Sequence, residues 1–156
     1  MKQLKKELTL TRELNAPVTK VWDAWIDPEK IAKWWGPDGV TNPTCVWDAR
    51  VGGEIHIVML AGPELGSMAG QKWPMRGEFV EVVPNERLVF KNFAVGPQDQ
   101  HLIEGTTTVT FEDIGGKTKI TVHNDMVGLT PIAEQMLAGA DMGWNQQLDK
   151  LIAFVQ

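Results

Sequence analysis

The sequence predicts an α+β fold in which a curved antiparallel sheet of about seven strands wraps one long C-terminal helix. Three observations carry this. The stretch Thr130–Gln156 has one broad apolar face at helical spacing. The middle of the chain, Thr44–Asp125, alternates strand-like segments with short glycine, proline and asparagine turns. Only two short helical stretches, both opened by proline, follow the first strand-like segment.

Taken in order, Leu4–Leu14 places Leu4, Leu8, Leu10 and Leu14 on one alternate face, with Lys5, Glu7, Thr9, Thr11 and Glu13 on the other, which is a half-buried strand. Asn15-Ala16-Pro17 breaks it, and Pro17 at or near the first helical position starts a helix whose apolar face is Val18, Val21, Trp22, Trp25 and Ile26. Asp27-Pro28 pairs a capping side chain with a helix-starting proline and opens a short helix through Ile31, Trp34 and Trp35, which Gly36-Pro37-Asp38-Gly39 stops. Strands are expected at Thr44–Ala49, Glu54–Ala61, Met75–Val83, Arg87–Ala94, Thr106–Glu112 and Lys117–Asn124. Gly52-Gly53, Pro84-Asn85 and Gly115-Gly116 supply turns, and short links of this kind favour antiparallel hairpins. Gly62–Pro74 and Gly96–His101 are the expected mobile loops. In the last stretch Thr130 is expected to cap and Pro131 to sit first in one helix of roughly 37 Å, at about 1.5 Å per residue. Met136, Leu137, Ala140, Trp144, Leu148, Leu151 and Val155 form its apolar face.

Bulk properties narrow the function. A chain of 156 residues suits one domain, 1–156, with a substantial core. A hydrophobic content of 43% is too high for disorder, yet no apolar run is long enough to span a membrane. The net charge of −5 and pI near 5.2 argue against nucleic acid as a partner; Lys2, Lys5 and Lys6 are the one basic cluster, and Glu7 follows at once. No export signal is evident, and the single Cys45 cannot form an internal disulfide, so a cytoplasmic location is expected, as monomer or homodimer.

The familiar catalytic patterns are missing. His56, His101 and His123 show no metal-ligand spacing, and alternation turns His56 and His123 outward, so no metal is expected. Glu54, Glu78, Glu81 and Asp38 form no facing carboxylate pair. Gly52-Gly53 opens a strand rather than a helix, so it is not a phosphate loop, and Ser67, the only serine, lacks a nucleophile frame. Tryptophan is the unusual feature: seven are present and tyrosine is absent. Trp34 and Trp35 are adjacent, about 100° apart on a helix, so they are not expected to be buried in the same way, and one either lines a cavity mouth or serves plain packing or a partner contact. Gln147 falls inside the apolar arc of the last helix, where its amide either reads a ligand or bonds nearby backbone.

The order and spacing of these segments resemble the START-like (SRPBCC) helix-grip superfamily. The similarity is strongest to the branch named after the C-terminal domain of the heat-shock protein 90 ATPase activator. Its carrying residues are Thr11-Arg12, Ala16-Pro17, Val21-Trp22-Asp23-Ala24-Trp25, Asp27-Pro28-Glu29 and Trp34-Trp35-Gly36-Pro37, followed by Asp48, Gly52-Gly53-Glu54, Gly77, Pro84-Asn85-Glu86-Arg87-Leu88, Gly143-Trp144, Leu148 and Leu151. The resemblance implies a helix-grip fold with a cavity between the last helix and the sheet, no cofactor, and no shared catalytic residue. The co-chaperone known for this domain carries a further N-terminal domain, so its activity is not expected to transfer directly.

The leading expectation is a small-molecule binding protein for an apolar or amphipathic ligand. Its cavity would be walled by Ile57, Met59, Phe79, Phe90, Val109, Phe111 and Val122 of the sheet and by Met136, Ala140, Trp144 and Gln147 of the last helix. The ligand would enter past Trp34–Gly39, where Trp34 and Trp35 sit, and past Gly62–Pro74. The alternatives are an enzyme of cyclase or hydrolase type using the same cavity, and a module that binds a protein partner such as a chaperone.

Overall fold

The computed structural model describes residues 4–156, so Lys2 lies outside the described residues. Its strands are β1 (Leu4–Leu14), β2 (Val40–Trp47), β3 (Glu54–Ala61), β4 (Lys72–Val83), β5 (Arg87–Val95), β6 (His101–Ile114) and β7 (Lys117–Gly128). Its helices are α1 (Val18–Ile26), α2 (Pro28–Trp34), α3 (Ala133–Ala138) and α4 (Ala140–Val155), with a short 3-10 turn at Pro63–Met68.

The strands form one curved antiparallel sheet in the order β1-β7-β6-β5-β4-β3-β2. Neighbours from β2 to β7 are joined directly in sequence, whereas β1 pairs with β7 and closes the opposite edge. Short loops make antiparallel neighbours inexpensive to form, which is why the predicted hairpins appear. Alternation sets the faces: Leu8 and Leu14 of β1 are buried, as are Ile120, Val122 and Met126 of β7.

Several local expectations need correction. Strand β2 starts at Val40, not Thr44, because a bulge between Thr41 and Thr44 accommodates Pro43 on the sheet's edge. Strand β4 takes up the end of the expected Gly62–Pro74 loop, and β6 and β7 extend past their expected limits. Pro17 is the residue just before α1, and its carbonyl receives the Lys20 and Val21 N–H groups. At α2 the sequence signal is realised: the Asp27 carboxylate accepts the Glu29 N–H at 2.9 Å, with Pro28 in the first turn.

The single long C-terminal helix is replaced by two helices that meet at Gly139. Gly139 donates its N–H back to Gln135 and Leu137 and ends α3, and the chain then continues into α4. Thr130 does not cap. Helix α3 starts at Ala133 after a turn whose carbonyls come from Thr130 and Pro131, and the Thr130 hydroxyl is buried without a partner among the described residues. Met136, expected on the inward face, is 39% exposed on α3. The break lets α3 cover the β1–β7 corner while α4 lies across the sheet, with Leu148, Leu151 and Val155 buried in the main core.

Both adjacent tryptophans are interior, Trp34 at 0% and Trp35 at 4% exposure, so neither stands at a mouth. The helical-wheel argument does not apply to this pair because Trp35 has already left the helix, with φ −66° and ψ 142°. Gly36 follows at φ +93°, a conformation that favours glycine. Trp34 packs on Trp25 at 4.7 Å between ring centroids and donates Nε1–H to the Ala24 carbonyl at 2.9 Å. Trp35 packs on Trp47 at 5.2 Å, and Trp47 meets Phe79 and Phe90 at 5.0 and 5.1 Å. Edge-to-face and tilted pairs of this kind contribute about 0.5–1.5 kcal/mol each beyond area burial. Aromatic side chains thus fill the interior at the β2–β5 end.

Candidate functional site

The apolar interior is two clusters rather than one. The larger runs from Leu14 and Trp25 through Phe79, Phe90, Val109 and Val122 to Leu148 and Val155. The smaller is Leu8, Met126 and Leu137, under α3. Leu10 and Trp144 pack against both.

A polar chain lies on the sheet where the two clusters meet. Asn92 of β5, Thr107 of β6 and Asn124 of β7 occupy inward positions two residues beyond Phe90, before Val109 and beyond Val122. Thr107 pairs directly with Asn124 across β6–β7. The Asn124 Nδ2 group donates to Thr107 Oγ1 at 2.7 Å, and the Thr107 hydroxyl donates to Asn92 Oδ1 at 3.4 Å. Asn124 is 1% and Thr107 0% exposed, yet Asn124 Oδ1 has no partner among the described residues. Asn92 Nδ2 in turn donates to the Met75 sulfur at 3.8 Å, and because a thioether cannot donate, this contact orients the chain and leaves Asn124 Oδ1 as the unpaired atom. Burying it without a bond costs about 1–3 kcal/mol.

Helix α4 carries another such group. Gln147 of α4 is 6% exposed, and its Oε1 accepts the Gly36 N–H at 2.8 Å. Because Gly36 can only donate there, the oxygen orientation is determined and Nε2 is left without a partner among the described residues. Gln147 therefore makes the backbone bond that was one of its two expected roles. The neighbouring residues of α4 hold the same loop: Gln146 Oε1 accepts the Asp38 N–H at 3.0 Å, and Lys150 Nζ donates to the Trp35 and Pro37 carbonyls at 3.4 and 3.2 Å. Half-burial lowers the Lys150 pKa, against the opposing pull of Asp38. The Trp35–Asp38 strap is thus pinned to α4 by three side chains.

The sequence-assigned wall residues fall into three groups. Ile57, Phe79, Phe90, Val109, Phe111 and Val122 point inward and are buried, with Met59 partly buried against them. Trp144 and Ala140 are half-buried beside the smaller cluster. Met136 lies outside the wall, on the outer surface of α3. Asn92, Thr107 and Asn124 were not singled out by the sequence, although each is the next inward position along its strand from an assigned residue.

Two other features lie elsewhere. An open cleft of about 540 Å³ is lined by Ile26, Pro28, Cys45, Val46, Trp47, Asp48 and Ala49 along edge strand β2. In it the Cys45 thiol lies 3.5 Å from the Pro28 carbonyl, and burial raises its pKa. On the solvent face, His123 Nε2 is 3.2 Å from Glu7 and 3.3 Å from Asp125, while Thr9 Oγ1 is 2.8 Å from its Nδ1. All three side chains, Glu7, His123 and Asp125, lie outside the helix–sheet interior, as alternation predicted for His123.

Comparison with known proteins bears on this geometry. The family model described as "Activator of Hsp90 ATPase homolog 1-like protein" matches residues 15–156. The chain belongs to this family. The Activator of Hsp90 ATPase homolog 1-like fold is the START/SRPBCC helix grip, and solved structures agree. A protein from Chromobacterium violaceum superposes with a TM-score of 0.80 at 29% identity, over 96% of each chain. One from Nitrosomonas europaea gives 0.72 at 28% identity, over 95% of this chain and 92% of its own. The AHSA1 protein from Silicibacter pomeroyi gives 0.78 at 24% identity, over 95% and 96%, and shows the shared fold. Among curated proteins, none matches. No helix among the described residues is long and apolar enough to cross a membrane.

Proposed function

We propose that this family member binds a small, mainly apolar molecule between α4 and the sheet, at the seam between the two apolar clusters. The observation that carries the reading is the Asn124 carbonyl oxygen on the sheet, buried with no partner among the described residues, with Gln147 Nε2 of α4 a second such atom. Buried polar groups are satisfied in the great majority of cases, and a bound molecule is one source of the missing partners. The family fold commonly binds ligands, which supports a binding role. The polar groups on these walls are amides and a hydroxyl, which bind and orient rather than transfer protons at neutral pH. Of the residues assigned from sequence, Phe90, Val122, Trp144, Ala140 and Gln147 would contact the ligand. Trp34, Trp35, Ile57, Met59, Phe79, Val109 and Phe111 would support that region from the packed end, and Met136 would ride on its cover. A cytoplasmic location, with Cys45 reduced, completes the proposal.

Native mass spectrometry of the purified chain, compared with the same sample denatured, tests the reading. The expected result is an added mass that is lost on denaturation. An unladen protein whose melting temperature no apolar compound raises would refute it.

A protein partner of chaperone type is the second reading, favoured by exposed Leu129, Ile132, Met136 and Met142 around α3. Crosslinking from photoreactive groups at positions 132 and 142, lost when Ile132 and Met142 are made polar, would support it.

A further inference from the structure

The polar seam says what kind of molecule fits. We infer that the ligand carries a single neutral hydroxyl, as an alcohol or phenol, seated on Asn124 at the end of the Asn92–Thr107–Asn124 chain, with an apolar body between the two clusters. The inference rests on the small-molecule reading above.

Each feature of the chain points to a hydroxyl. The Asn92 amide is oriented at its far end, where Nδ2 donates to the Met75 sulfur at 3.8 Å, a thioether that cannot donate in return. Asn92 Oδ1 therefore receives the Thr107 hydroxyl, Thr107 Oγ1 receives Asn124 Nδ2, and Asn124 Oδ1 is left as an acceptor. A ligand hydroxyl donates to that oxygen. A ketone or ether, having no donor, cannot. A carboxylate or phosphate would bury its charge against a chain whose members, including Met75 at its far end, are all neutral. The surroundings specify the rest of the molecule: Leu8, Met126 and Leu137 lie on one side, Val122 and Phe90 on the other, and Trp144 touches both groups.

Access follows from how α3 is held. This six-residue helix has no side-chain cap, buries only Ala133 and Leu137, and joins α4 at Gly139. Leu137 is its contact with Leu8 and Met126, the apolar wall next to Asn124. Outward movement of α3 about Gly139 uncovers that wall without breaking a strand pair. Short, weakly anchored elements of this kind open at low free-energy cost.

The test uses shape-matched pairs in which a methyl replaces the hydroxyl: 1-naphthol against 1-methylnaphthalene, and 4-propylphenol against 4-propyltoluene. Calorimetric titration of the full chain measures affinity, and thermal melting measures stability. The wild type is expected to prefer the hydroxylated member about tenfold, the order of one hydrogen bond to a buried group. Asn124→Leu is expected to bring the preference close to one while retaining hydrocarbon binding. It should leave the melting temperature unchanged or raised, because it removes an unsatisfied buried group. Thr107→Val, nearly isosteric, cuts the chain behind an intact Asn124 and should also reduce the preference, so the test survives if Asn124→Leu does not fold. Binding of both members with equal affinity, or a preference that both variants keep, overturns the hydroxyl inference and leaves the small-molecule reading standing. If no compound binds the wild type, that reading falls and the inference with it.

Discussion

Replacing Gln147 by leucine tests how the strap over the interior is held. In the wild type Gln147 Oε1 accepts the Gly36 N–H at 2.8 Å, in a buried setting. Leucine removes the acceptor and leaves that N–H unsatisfied, a loss of about 1–3 kcal/mol. Part is returned, because the variant no longer buries the unpartnered Nε2 group. The expected net destabilisation is about 1 kcal/mol, or roughly 2–4 °C in melting temperature for a chain of this length. Gln146→Leu is the internal control. Its bond to the Asp38 N–H is exposed, water replaces the lost acceptor, and the change should stay within about 0.5 kcal/mol. Urea denaturation measures the stabilities, and amide hydrogen exchange reads the strap directly. Gly36 should lose protection in Gln147→Leu and keep it in Gln146→Leu. Unchanged protection at Gly36 together with equal stability of the two variants would refute the claim that Gln147 anchors the loop.

Thr118→Val removes a buried 2.7 Å hydrogen bond from the Thr118 hydroxyl to the Ala16 carbonyl at nearly constant volume, and urea titration should show a loss of about 1–2 kcal/mol. Gly77→Ala places a methyl 2.0 Å from the Lys91 carbonyl oxygen in the neighbouring strand, so β4 and β5 must separate; a loss of roughly 2–4 kcal/mol by the same measurement is expected. The raised pKa of Cys45 keeps the folded thiol protonated at a pH where the unfolded one ionises. The folded state then binds more protons, so this residue's contribution to stability is full below the ordinary thiol range and falls as pH rises through the folded value. Stability measured as a function of pH should lose that alkaline decline in Cys45→Ala, and the wild-type thiol should react with a disulfide reagent more slowly than free cysteine.

Local chemistry made much of this protein legible from its sequence. Alternation of apolar residues located β1 and the inward faces of β3 to β7, because side chains along a strand must point to opposite faces whatever lies across from them. Asp27-Pro28 marked the start of α2 because capping and the fixed proline φ act within one turn. What depended on distant partners was not legible. The apolar stripe over Thr130–Gln156 fits one helix as well as two; the break at Gly139 follows from α3 and α4 covering different parts of the sheet. Trp34 and Trp35 are both buried because the chain leaves the helix between them and α1, β2 and α4 supply separate surroundings. Asn92, Thr107 and Asn124 are each an unremarkable polar residue in a strand. Strand register brings them into one hydrogen-bonded chain, and helix packing buries it. Periodicity determines which way a side chain points, but only the tertiary structure decides what it meets there, because register and packing depend on residues far apart in the chain.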